Sequence, residues 1–324
     1  MKIIWNIHEL PKNCILTLGK FESLHRGHNA LLWRVNHLGT KEKMSTVIMV
    51  FEPHPATITT DKHYKPIFTR SEWNHLYNWI NAPSSSNHLN NIAVDYILVQ
   101  EFDREFAKIS PAEFAEMLFS KAGIIVVGEG YRFGHEREGT VELLQEVAEK
   151  RNCKVIVERK IKNSLGNTNE VVSTTNVRKA LTANDMQQTW NLLGFPYFVM
   201  GIVTRGKQIG REIGFPTLNL YPPAQKLLPS NGVYLTQTTI ADDAHFDSIT
   251  NIGIRPTLGN TEALSVETFI LNFPNNRYPT NLYGTSIKVE FIDFIRPEIQ
   301  FNSLKDLKTQ IQEDIKIIKN RVSH

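Results

Sequence analysis

A chain of 324 residues suffices for about two domains, and its 41% hydrophobic and 21% charged residues are those of an ordinary globular protein. No run approaches the roughly 18 uninterrupted apolar residues of a membrane helix, so no helical membrane span is expected. The net charge of +3 comes from basic residues scattered along the chain rather than gathered into a stripe, which argues against a nucleic-acid partner.

The opening residues place Glu9 where a secretory leader needs its apolar stretch. The cysteines, Cys14 and Cys153, each lie in an apolar, strand-like run, so buried thiols in a reducing cytoplasm are expected. Residues 13–18, 46–51, 96–99, 124–127 and 154–157 are short runs rich in Val and Ile, as suits strands buried on both faces of a parallel sheet. Between them lie amphipathic stretches. Ser110-Pro111-Ala112-Glu113 combines a capping box with proline at the first helical position, and Thr140 to Lys150 reads as a second helix. The alternation predicts a doubly wound α/β sheet, with an exposed loop over 83–91.

Gly19-Lys20-Phe21-Glu22-Ser23-Leu24-His25-Arg26-Gly27-His28 follows the first of these strands and opens a helix. Ligands of such sheets bind at the carboxyl ends of strands, and helix N-termini attract phosphate. Two histidines three apart can both face a triphosphate, and Gly27 lets the backbone approach. A loose H-x-x-H is more often a pair of surface histidines; the position directly after a strand favours the phosphate reading. Zinc would need three or four ligands, and no further His or Cys cluster stands at a matching spacing. Ser173-Thr174-Thr175-Asn176-Val177-Arg178 offers hydroxyls and free N–H groups at a helix start with an arginine one turn on, a second phosphate site or a simple N-cap.

Beyond about residue 184 the pattern changes to period-2 patches at 197–203, 233–239, 266–271 and 286–291, separated by turn residues such as Asn231-Gly232, Pro274-Asn275 and Tyr283-Gly284. A small antiparallel barrel or sandwich is expected there. Leu304, Leu307, Ile311, Ile315 and Ile318 form the apolar stripe of a closing helix. In 201–220, Gly206, Gly210 and Gly214 stand among Arg205, Lys207 and Arg211, a composition that can wrap a nucleotide, while Thr217 and Asn219 offer oxygens to magnesium. It is not a Walker loop, because it lacks G-K-[ST].

The histidine motif and the later Ser/Thr-rich turn ending in arginine resemble the nucleotidyltransferase superfamily. Phe51-Glu52-Pro53-His54-Pro55, Gln100-Glu101-Phe102-Asp103, the run from Val127 to Gly134, and Leu192 to Tyr197 are similar to the bacterial bifunctional riboflavin kinase/FAD synthetase family. So are Gly214-Phe215-Pro216-Thr217-Leu218-Asn219, Leu228 to Tyr234, Asn251 to Thr257 and Ser265-Val266-Glu267. The resemblance implies a Rossmann-like nucleotidyltransferase domain over 1–184 and a β-barrel riboflavin-kinase domain with a C-terminal helix over 185–324. It implies ATP as co-substrate, flavins as substrates and products, and Mg²⁺.

By that resemblance His25, His28, Gly19 and Gly27 bind ATP for adenylylation, with Ser173, Thr174 and Arg178 on the leaving pyrophosphate. Glu267 is then the base for phosphorylation, Thr217 and Asn219 hold magnesium, and Gly206, Lys207, Gly210, Arg211 and Gly214 hold ATP. Phe133, Asn251 and Arg296 border flavin. Glu22 and Ser23 stand where the family reads Asp-Gly, and Gly130 where it has Asn or Asp. A relative with one activity, or a flavin-binding protein without catalysis, is the alternative expectation.

Overall fold

Runs of Val and Ile without alternation can be buried on both faces only between two layers of helices. The computed structural model describes residues 2–59, 64–80, 92–163, 170–206, 208–240, 244–256, 262–273 and 282–322. Lys207, the expected loop 83–91 and the expected turn 274–275 lie outside them. The chain forms two compact units, Met1–Lys65 with Trp73–Thr174, and Pro66–Glu72 with Thr175–His324.

The first unit contains, in chain order, β1 (Lys2–Ile4), β2 (Cys14–Leu18), α1 (Arg26–Glu42), β3 (Thr46–Glu52) and α2 (Pro55–Thr59). There follow α3 (Arg70–Ile80), which begins in the 66–72 segment, β4 (Tyr96–Glu101), α4 (Pro111–Phe119), β5 (Ala122–Gly128), α5 (Val141–Lys150) and β6 (Lys154–Glu158). All pairings are parallel, in the order β1-β4-β3-β2-β5-β6. The chain builds to one side of β2 through β3 and β4, then to the other through β5 and β6. The carboxyl end of β2 is therefore the topological switch point, where doubly wound sheets bind ligands.

The expected capping box is complete: Ser110 Oγ accepts from the Glu113 N–H, and Glu113 accepts from the Ser110 N–H. Thr140 caps α5, its side chain accepting from the Leu143 N–H. Cys14 is buried, and its thiol is pushed up to about 11 by desolvation; Cys153 is half-buried, more open than expected. No helix of the described residues is long and apolar enough to cross a membrane.

The second unit contains α6 (Thr174–Thr182), α7 (Met186–Leu193), β7 (Tyr197–Ile202), α8 (Ile209–Glu212), β8 (Leu218–Leu220), β9 (Gly232–Ile240), β10 (Ala244–Pro256), β11 (Glu262–Ile270), β12 (Ser286–Pro297) and α9 (Leu304–Val322). Its sheet is antiparallel throughout, in the order β7-β12-β9-β10-β11-β8, and a bridge between Thr204 and Asn219 curls the two edges together. One face carries a chain of fully buried hydroxyls. Thr236 Oγ1 lies 2.8 Å from Ser248 Oγ and 2.7 Å from Thr250 Oγ1, which is 2.9 Å from Thr268 Oγ1. The other face, through Val233, Leu235, Ile249 and Phe269, packs against Ile315 and Ile318 of α9. Leu304, expected in the same stripe, is exposed.

Within this unit Glu72 and Lys226 are both fully buried, with Nζ 2.7 Å from Oε2. Glu72 also accepts from the N–H groups of Thr69 and Met200, and Lys226 donates to Ile67 O and lies 4.9 Å from the centre of the Tyr197 ring. A buried pair survives only with such further partners, and removing one member strands the other. Lys226→Met is expected to destabilise the second unit by about 3–5 kcal/mol. Adding Glu72→Gln, which removes the stranded charge and keeps an acceptor for one of the two N–H groups, should recover part of that loss in urea titrations.

Candidate active sites

The N-terminus of α1 begins at the carboxyl end of β2. His25 is its N-cap: Nδ1 accepts from the His28 N–H at 3.1 Å, satisfying one of the helix's open donors. Because Nδ1 is an acceptor, the proton of neutral His25 sits on Nε2, which is left as a donor. The His25 and His28 rings stack, with centroids 3.7 Å apart and planes 11° from parallel, and Phe21 lies against His28 at 4.9 Å. Burial pushes His25 down to about 4. His28 is held well below the usual range by burial and then by His25. The pair is therefore neutral at physiological pH and can bind phosphate as N–H donors without first being charged.

Gly27 leaves room for this stack. A Cβ there would lie 3.0 Å from His25 Cε1 and 3.1 Å from its Nδ1, and beyond that ring its nearest neighbour, at 3.5 Å, is the carbonyl of Val172, just before Ser173 and Thr174. The Ser173–Thr174 turn thus runs against the start of α1, and Arg178 lies one turn along α6. Gly19 follows β2, and its N–H donates to Met49 O at 3.3 Å.

Several buried polar atoms at this strand end have no hydrogen-bond partner among the described residues: Thr17 Oγ1, Ser23 Oγ, His28 Nδ1 and both amide atoms of Asn29. Asn29 is four residues after His25, so the two share a helix face. Sequence reasoning passed over it, because one Asn in a helix start carries no signal. A second overlooked group is His54. Its ring stacks on Tyr64 at 4.0 Å, and its Nε2 lies 3.9 Å from Glu22 Oε2. The motif containing His54 was legible; its meeting with Glu22 was not.

The departures from the family pattern fit locally. Ser23 is not among the residues with left-handed backbone, so no glycine is needed there, whereas Gly130 has φ +77°, where glycine or asparagine is favoured. Phe133 is buried, with its ring centre 5.8 Å from those of both Phe114 and Tyr131.

In the second unit, register brings the other residues together. Asn219 of β8 pairs with Glu267 of β11, which pairs with Asn251 of β10. Directly paired residues project to one face, and here it is the face opposite the buried hydroxyls, since the flanking Val266 and Thr268 are fully buried. Asn219 Nδ2 donates to Thr217 O at 3.1 Å, which fixes the amide and leaves the buried Oδ1 unpartnered. Gly206 approaches so closely that a Cβ would lie 2.6 Å from that oxygen. Gly210, Arg211 and Gly214 form and end the short helix α8 between Gly206 and Thr217. Arg296 lies in the same transverse row, paired with Val233. Its guanidinium is held by the buried Asp314 of α9, with Nε 2.9 Å from Oδ1 and Nη2 2.7 Å from Oδ2.

One unit thus has a phosphate-receptive helix start at a sheet's switch point, and the other a carboxylate between two amides beside a glycine-rich turn. This is the equipment of a two-domain, ATP-using transferase. The FAD synthetase family model matches residues 7–176, and the riboflavin kinase family model matches residues 193–322. The chain belongs to the bifunctional riboflavin kinase/FMN adenylyltransferase family. It is 32% identical over 329 residues to the protein of that description from Buchnera aphidicola subsp. Schizaphis graminum, covering 98% of both chains. To the Escherichia coli K12 protein it is 32% identical over 322 residues, covering 97% and 96%. In fold it is similar to a crystal structure of a macrolide-efflux protein from Streptococcus pneumoniae (TM-score 0.81, 24% identity, 98% of each chain). The chain carries both a riboflavin kinase and an FAD synthetase domain, and ATP and flavins fit it as substrates.

The buried histidines couple stability to pH. An unfolded histidine takes its proton near 6.5, whereas folded His25 resists until about 4. Falling pH therefore favours the unfolded state across that window, each unit of depression being worth about 1.4 kcal/mol. Thermal melts should show the first unit losing stability from pH 6.5 towards 4. His25→Asn, which keeps an N-cap acceptor, should reduce that dependence and leave the part due to His28.

Proposed function

We propose that the chain phosphorylates riboflavin to FMN at the Glu267 row and adenylylates FMN to FAD at the His25–His28 stack. The observation that carries this reading is the cross-strand alignment of Asn219, Glu267 and Asn251, with Asn219 Oδ1 buried and unpartnered. Such an oxygen in a closed-up backbone suits a hard cation. Mg²⁺ keeps few protein ligands and takes the rest from phosphates and water. Thr217 and Asn219 would hold it, and bound there it would neutralise phosphate charge.

Around that point Gly206, Gly210, Arg211 and Gly214 hold the ATP phosphates, and Lys207 is assigned to them from the sequence motif. Glu267 accepts the proton of the ribityl 5′-hydroxyl as its oxygen attacks the γ-phosphorus and ADP departs. Asn251 borders the flavin, and Arg296, clamped to Asp314, borders it through α9.

In the first domain the FMN phosphate is already an oxyanion, so no protein nucleophile is called for. Its oxygen attacks the α-phosphorus of ATP, and the bond to pyrophosphate breaks. His25 and His28 donate N–H bonds to ATP phosphates, with Gly19 and Gly27 admitting the backbone. Ser173, Thr174 and Arg178 hold the leaving pyrophosphate. Catalysis here is alignment and charge stabilisation. Phe133 forms part of the flavin wall. The domain junction is taken after residue 184, between the two matched segments. Both reactions are assigned to the cytoplasm, where Cys14 and Cys153 stay reduced.

Feeding riboflavin and FMN separately with ATP and Mg²⁺ tests the assignment. Glu267→Gln should lower FMN formation by about 10²–10⁴-fold and leave FAD formation from supplied FMN unchanged. His28→Ala should lower FAD formation by about 10²–10³-fold and spare the kinase. Loss of both activities in either variant would contradict the assignment.

A further inference from the structure

We infer that Ser265 is a positioning residue for riboflavin phosphorylation, its buried hydroxyl holding the Glu267 carboxylate in the orientation from which it takes the substrate proton. This rests on the reading of Glu267 as the general base. Ser265 and Glu267 lie two apart on β11 and so project to the same face. Ser265 is fully buried, and its Oγ lies 3.3 Å from Glu267 Oε1. The hydroxyl has one proton and two acceptors in reach, that carboxylate oxygen and the Gly253 carbonyl at 3.4 Å. A carboxylate is the stronger acceptor, so the proton goes to Glu267.

The residue opposite Ser265 on β10 is Gly253, which has no side chain to offer. A Cβ added there would lie 2.6 Å from Glu298 Oε1 and 3.2 Å from Asn251 Nδ2, so those two side chains fill the space the glycine leaves. A glutamate side chain turns about three bonds, and only a fraction of its rotamers put an oxygen where the ribityl hydroxyl must arrive. A bond to one carboxylate oxygen removes much of that freedom before substrate binds. Ser265 touches neither ATP nor flavin in this scheme, so its loss reduces turnover and not binding.

The test uses the full chain with Ser265→Ala, Ser265→Cys and Glu267→Gln. Ser265→Ala removes the donor and leaves a small void; Ser265→Cys nearly preserves the volume and donates poorly. Both are expected to lower the kinase kcat about tenfold, the effect of losing one hydrogen bond to a charged group. KM for riboflavin and for ATP should stay within about twofold, as should FAD formation from supplied FMN. If Ser265→Ala is impaired and Ser265→Cys is not, the residue is packing, and the inference is overturned. It is also overturned if both keep parental kcat while Glu267→Gln is inactive, and then the assignment of the base survives. A Glu267→Gln variant with undiminished kinase activity would bring down that assignment and the inference with it.

Discussion

A buried polar group must find a partner, and that constraint organises both halves of this molecule. Leaving a buried donor or acceptor unmade costs about 1–3 kcal/mol. The chain meets the cost wherever it is structural: Glu72 and Lys226 are closed off by backbone groups, and the hydroxyls of Thr236, Ser248, Thr250 and Thr268 satisfy one another. Where it leaves the cost unmet, the atoms gather at the ends of strands. Thr17, Ser23, His28 and Asn29 do so at the start of α1, and Asn219 at the edge of the curled sheet. Those are the two places proposed to receive ATP.

The two proposed sites differ in how they would meet the charge of ATP. At the first, burial keeps both histidines neutral, and a helix start with an imidazole cap supplies N–H donors whose direction is set before ligand arrives. At the second, a carboxylate is flanked across the strands by two amides and along its own strand by a hydroxyl. The first arrangement suits a substrate that is already an oxyanion; the second suits one whose hydroxyl must lose a proton.

Much of the fold was legible in the sequence because strong local signals agreed. Uninterrupted Val and Ile runs gave β2 to β6 within a few residues, and the capping box fixed the start of α4. β1, three residues long, and β8, also three, were too short to display a period, and α3 and α7 were passed over. The site residues were nameable from motifs, but their meeting was not. That Asn219, Glu267 and Asn251 lie in one row depends on strand register, which no single segment encodes. The commitment of Arg296 to Asp314 depends on where α9 comes to rest. Likewise, Ser23 stands where the family has glycine and is accommodated because the backbone there is not left-handed.

The central claim is that two independent sites work in series through a released FMN. Mixing equal amounts of the Glu267→Gln and His28→Ala variants with riboflavin, ATP and Mg²⁺ tests it most directly. Neither variant alone should make FAD from riboflavin, and the mixture should make it after a lag while FMN accumulates. A mixture that forms FMN and no FAD would contradict the account.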